Sequence, residues 1–202
     1  MRRGLATFAA NIADARSLTG LYDFLTLKVP SPFSYDDLLR SQIVYSVSAF
    51  DKLLHDLIRI GMVEIFKGVR PATPKYNAES ISIQFHGTLL AATLPPREVL
   101  FEQEIARKLK IVAYQDPQKV SDGLSYIWDE KDKWVKIGGR MGWNPDTAKT
   151  KLKLIADRRN AIVHESDLDP ISSAKNQISR AECSDVTDFI ELCGKSIAQL
   201  VI

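Results

Sequence analysis

DDLLRSQIVYSVSAFDKLLHDLIRIGMVEIFKG, residues 36–68, is the longest periodic stretch of the chain. Ile43, Val47, Phe50, Leu54, Leu57 and Ile58 recur at three- and four-residue steps and fall on one stripe of a helix. The prolines of VPSPFSYDD, residues 29–37, break the chain just before it. Ser34 is a suitable N-cap, and Asp36 and Asp37 suit the positive end of the helix dipole. Gly61 is a soft point late in the run.

Helical periodicity continues on both sides. Leu5, Phe8, Ile12, Ala15 and Leu18 predict a first helix, which Leu21, Tyr22, Phe24 and Leu25 can extend past Gly20. Residues 68–80 read as a connector and 80–90 as a short helix; 95–115 is a helix opening on prolines. Residues 120–142, VSDGLSYIWDEKDKWVKIGGRMG, read as one amphipathic helix with Ile127, Trp134 and Ile137 inward and a stop at Gly138–Gly139. The next helix has Asn144 as N-cap and Pro145 at its first position. A loop over 167–183 follows, and Ser184 is expected to cap a last helix. No strand-rich region, repeat or heptad run interrupts this. The fold class is all-α, a helical bundle in a single domain over 1–202, with an N-terminal helical extension at 1–30 and an insert at 68–97.

The totals narrow the function classes. The chain is 45% hydrophobic and 26% charged, ordinary for a globular protein, with a net charge of +2 that is poor support for nucleic-acid binding by itself. Cys183 and Cys193 match neither a zinc pattern nor a disulfide framework and read as reduced thiols. Asn11 and Asp14 interrupt the apolar N-terminus too early for a signal peptide, and no run reaches the roughly 18 apolar residues of a membrane span. A cytoplasmic protein with no membrane association is expected. No G-x-x-x-x-G-K-[ST] loop or serine elbow is present, and neither cysteine lies in a catalytic context. The three histidines lack metal spacing, so no metal or other cofactor is expected.

RRNAIVHES, residues 158–166, is the stretch that packing does not explain. Leu152, Ile155, Arg159, Ile162 and Val163 share a face, which puts Arg159 on an apolar stripe. An arginine there is costly unless it meets a carboxylate, a partner chain or an anion. Asn160 and His164, four apart, share another face. Arg159 and His164 are separated by about 140° and roughly 7.5 Å of rise. Arginine grips phosphate with two hydrogen bonds, and imidazole exchanges protons near neutral pH. Together they suit metal-free phosphodiester chemistry. The alternative is structural: Arg159 pairs with a core carboxylate such as Asp129, and His164 caps its own helix.

Arg159-Asn160-Ala161-Ile162-Val163-His164 resembles the R-N-x-x-x-H signature of the HEPN superfamily. From about residue 35 onward the chain is similar to the stand-alone bacterial RiboL-PSP-HEPN group, notably in RSQIVYSVSAFDKLLHDLIR and in residues 120–142. The resemblance implies a bundle of four core helices. It also implies a homodimer through the motif-bearing face, with two motifs at one cleft. Active members are metal-independent endoribonucleases that use the RNA 2′-hydroxyl as nucleophile and leave a cyclic phosphate. By resemblance His164 transfers protons, Arg159 contacts the scissile phosphate, and Asn160 positions one or the other. Many relatives are toxins or phage-defence effectors, with an antitoxin or defence-system partner protein; others only bind nucleotides or proteins.

Further candidates surround the motif. Arg158 and Glu165 flank it as supporting residues. Asp51 and His55 lie four apart, so the carboxylate can orient the histidine, or the two are an ordinary helix pair. His86 reads as a loop or helix-end residue. Between Lys131 and Arg159 stand nine basic residues against three acids. Within that run Lys149, Lys151 and Lys153 are candidate RNA-backbone contacts, the alternative being a solvated helix face. Trp143 is the tryptophan best placed to stay accessible for base stacking, while the spacing of Trp134 suits the core.

Overall fold

The computed structural model describes residues 1–201. The helices in chain order are α1 (Arg2–Lys28), α2 (Asp36–Phe66), α3 (Pro74–Asn77), α4 (Ile83–Ala91), α5 (Arg97–Leu109), α6 (Pro117–Leu124), α7 (Lys133–Met141), α8 (Pro145–His164) and α9 (Arg180–Val201). No strand occurs among the described residues, and the protein is all-α. None of these helices is long and apolar enough to cross a membrane.

The stripe on α2 forms the centre. Ile43, Val47, Phe50, Leu54, Leu57 and Ile58 are all fully buried, and α2 packs against α1, α9, α5, α8 and α6. Side-chain contacts fix the directions. Thr19 of α1 bonds Gln42, whereas Gly4 lies beside Asp56, so α1 runs antiparallel to α2. Cys183 of α9 donates to the Leu39 carbonyl, and further along Gly194 lies beside Leu53, so α9 runs parallel to α2. Residues 1–28 are thus a wall of the bundle, with Phe8, Ile12 and Ala15 in the core. At Gly194 a Cβ would fall 2.6 Å from the Phe8 ring, so the α1–α9 approach requires glycine there.

Several sequence expectations hold at residue level. Asn144 caps α8, its side chain accepting from the N–H groups of Asp146 and Thr147, with Pro145 at the first turn. The short helix over 80–90 is α4, capped by Ser82. Ser34 accepts from the Asp36 N–H, but the residue before α2 is Tyr35.

Four expectations are corrected. Residues 120–142 do not form one helix: α6 ends at Leu124, and α7 begins at Lys133. The acidic run Asp129, Glu130 and Asp132 offers the backbone local alternatives, and the Glu130 carboxylate accepts from the Asp132 N–H. The Trp134 indole then donates to the Pro117 carbonyl at 3.0 Å, folding α7 back onto the start of α6. Gly138 and Gly139 lie inside α7, which ends at Met141 with Gly142 left-handed at φ 71°. Ser184 is interior to α9. The first turn instead closes on Ser179, whose hydroxyl accepts from the Glu182 N–H in the S-x-x-E arrangement of a capping box. Finally, α2 passes through Gly61 without a break. A Cβ there would lie 2.6 Å from Ile127, so the glycine serves close packing.

Candidate active site at the end of helix α8

The inner face of α8 buries Ala148, Leu152, Ile155 and Ala156, and then burial fades. Arg159 and Ile162 are half-buried, and Asn160, Val163, His164 and Glu165 are exposed. The sequence places Val163 with the core residues, yet it is 45% exposed. The motif therefore occupies the turn and a half of α8 that emerges from the bundle.

The two adjacent arginines have different surroundings. Arg158 donates to Asp167 at 2.6 Å and to the Gln177 carbonyl at 3.0 Å. Among the described residues Arg159 has no acidic partner. Its side chain bonds to the Asn160 side-chain oxygen at 3.0 Å; the Nε atoms of both arginines are enclosed without a hydrogen-bond partner. Asp129 does not neutralise Arg159, so the carboxylate-pairing alternative does not hold. No hydrogen bond from His164 to its helix carbonyls is formed either. Arg159 and Asn160 are brought together by a hydrogen bond; His164, one turn beyond Asn160 on the same face, lies about 140° round α8 from Arg159 and bonds to neither.

What holds this end of the helix is a buried carboxylate that the sequence reading missed. Asp167 is fully buried. It accepts from Arg40 Nε at 2.6 Å, from Arg158 and from Asn176. Arg40 also donates to the Asn176 carbonyl at 2.6 Å. Burial opposes the Arg40 charge, but Asp167 and Asp37 outweigh it and hold the guanidinium above its ordinary value. The chain reaches this position through two left-handed residues, Ser166 at φ 55° and Asp167 at φ 58°. The Asp167 N–H returns to the Ala161 carbonyl, closing the helix end. The signal for Arg40 was present: it lies three residues before Ile43 on the apolar face of α2, the same anomaly that singled out Arg159.

The match that decides the family spans almost the whole chain: the RiboL-PSP-HEPN family model covers residues 10–202. The chain belongs to the RiboL-PSP-HEPN family. HEPN domains are often ribonucleases. No curated protein and no solved structure matches the chain. In this HEPN protein the R-N-x-x-x-H residues lie on α8, the last long helix before α9, with Arg159 unpaired and His164 open to solvent.

The remaining candidates are distributed differently. Lys149 pairs with Asp146 at 2.7 Å, and Lys151 pairs with Asp185 while lying 5.5 Å from the centre of the Trp143 ring. Lys153 is exposed with no ion pair among the described residues, so Lys149 and Lys151 have their charge answered within the chain. Trp143 is half-buried against Phe189, and Trp134 is in the core. Asp51 and His55 do meet, at 3.6 Å, and both address Tyr114: Asp51 accepts its N–H, and His55 packs edge-on to its ring. Asp51 lies eleven residues beyond Arg40 on α2, about 16 Å along the axis, and no hydrogen bond or ion pair joins the pair to the motif. His86 is exposed on α4. Cys183 and Cys193 are buried, and burial pushes both thiols up to about 12.

Proposed function

We propose that this HEPN protein is a metal-independent endoribonuclease and acts as a toxin or phage-defence effector, restrained or triggered by a partner protein. One observation carries this reading. Of two adjacent arginines at the end of α8, Arg158 is paired with a carboxylate and Arg159 has none among the described residues, in a family whose domains are often ribonucleases. A guanidinium kept free of intramolecular acids is available to an anion, and the phosphodiester is the anion its fork fits.

The chemistry follows from the residue types. The RNA 2′-hydroxyl attacks phosphorus, a new P–O2′ bond forms, and the P–O5′ bond breaks. The products are a 2′,3′-cyclic phosphate and a 5′-hydroxyl. Arg159 binds the non-bridging oxygens, where charge accumulates. His164 accepts the 2′-hydroxyl proton or delivers one to the departing 5′-oxygen. Asn160 orients Arg159 through the hydrogen bond between them. Lys153 and the neighbouring basic groups contact the backbone and make binding salt-sensitive.

Arg159 and His164 project from different sides of one helix, and Val163, one turn beyond Arg159 on its face, is exposed. A second copy on this face brings the histidine of one subunit towards the arginine of the other. The homodimer through the motif-bearing face belongs to the same proposal.

The test is incubation of cellular RNA with purified protein in EDTA, wild type beside His164→Ala. Cleavage by wild type alone is expected. If neither folded protein cleaves, the alternative gains: a non-catalytic HEPN-like module in which Arg159 grips a nucleotide or a partner protein.

A further inference from the structure

A concavity lies away from the motif. A cavity of about 520 Å³ opens between the end of α5, α6, and α3 with the residues just after it. Its walls are mostly apolar: Met62, Ile105, Leu109, Val112, Tyr114 and Tyr126. The volume falls within the ~300–1,000 Å³ of small-molecule sites.

The charged groups around it sort into satisfied and free. Glu79 accepts from the Tyr126 hydroxyl at 2.7 Å and is ion-paired with Lys108. Arg107 is held by Glu104 at 2.7 Å. Two lysines remain. Lys75 lies 4.7 Å from the centre of the Tyr126 ring and donates only to the Asp122 carbonyl. Lys119 is exposed with no ion pair among the described residues. Glu79 and Asp122 stand against Lys75, Lys108 and Lys119 at the lining, with Lys75 also acting on Glu79, so the mouth keeps an excess of positive charge over an apolar interior.

The wall is rigid. The Tyr114 N–H is held by Asp51, and its ring meets His55 edge-on with centroids 4.9 Å apart. On the other side it lies so close to Gly123 that a Cβ there would fall 2.4 Å from the ring. Burial, helped by the nearby Asp51 and Glu79 charges, pushes the phenol up to about 12, so this wall stays neutral. Asp51 and His55, which lie apart from Arg159 and His164, thus have a role in shaping this cavity.

We propose that the cavity is a binding site for a small organic monoanion, a flat apolar or aromatic body carrying one carboxylate or sulfonate. The body lies against Tyr114, Tyr126 and Leu109, and the acid faces Lys75 and Lys119. The site stands independently of the ribonuclease reading.

A matched pair of dyes tests it on the full chain: anionic 8-anilinonaphthalene-1-sulfonate and the neutral N-phenyl-1-naphthylamine, which shares its ring system. Fluorescence titration should show saturable, one-to-one binding of the anionic dye, tighter than that of the neutral one. Lys75→Ala combined with Lys119→Glu should weaken the anionic dye by about fivefold and leave the neutral dye unchanged. Val112→Trp, which fills the cavity, should remove both. If that variant fails to fold by circular dichroism, the lysine variant decides alone. Dye bound instead at the exposed Ile83 and Leu94 would ignore these substitutions. That result, unsaturable binding, or equal affinity for the two dyes overturns the proposal.

Discussion

Arg158 and Arg159, adjacent in sequence, differ in what answers their charge. Arg158 is tied to a fully buried carboxylate that also holds Arg40. Breaking a buried ion network by removing its shared member leaves uncompensated charge. Asp167→Ala is therefore expected to lower folding stability by about 3 kcal/mol. Arg159 lacks such a partner, so Arg159→Ala should change stability by no more than about 0.5 kcal/mol. Urea denaturation of both variants checks this. The reverse order would mean that Arg159 supports the fold and Arg158 is the arginine left free. For nuclease activity the expectation is inverted for the arginines themselves: Arg159→Ala abolishes cleavage in a protein that still folds.

At the scale of elements, each α8 boundary rests on a named contact. Asn144 accepts two N–H groups at the start, and Asp167 returns its N–H to Ala161 at the end. Asn144→Ala should cost about 1 kcal/mol of stability, read from the denaturation midpoint; no measurable change would mean that the cap contributes nothing to positioning the motif helix. The long helices were legible in the sequence because their signals are local. The α2 stripe, the Asn144–Pro145 start and the 3.6-residue rhythm of α1 need no knowledge of what lies opposite. The break between α6 and α7 was less legible, because apolar residues on either side kept the helical spacing while the acidic turn between them was overridden in the reading. The S-x-x-E cap at Ser179 was legible and overlooked. In the site, Arg159, Asn160 and His164 could be named from the signature, whereas Asp167 could not. Its role depends on two left-handed residues and on Arg40, 127 positions away in sequence.

The whole molecule is a bundle whose core contains two thiols. Cys183 and Cys193 ionise near 9.0 ordinarily, and burial pushes both up to about 12. Below pH 9.0 both are protonated, folded or unfolded, and their contribution to stability is intact. Between 9.0 and about 12 the unfolded chain releases these protons and the folded chain keeps them, so stability falls as pH rises. Thermal melts across that range should decline, and less steeply for Cys193→Ala; equal slopes would contradict the assignment. The bundle also presents its motif at one end and holds it with Arg40, Asp167 and Arg158, leaving Arg159 without a carboxylate among the described residues and His164 exposed, as the proposed RNA cleavage requires. The most direct test is a single RNA oligonucleotide in EDTA, its cleavage position mapped, compared with the same oligonucleotide 2′-O-methylated at the nucleotide just 5′ of that position. The account predicts cleavage of the unmodified strand to a 2′,3′-cyclic phosphate, no cut at that position in the methylated strand, and no cleavage of either by Arg159→Ala or His164→Ala. Cleavage that survives the methyl group, or persists without His164, would contradict it.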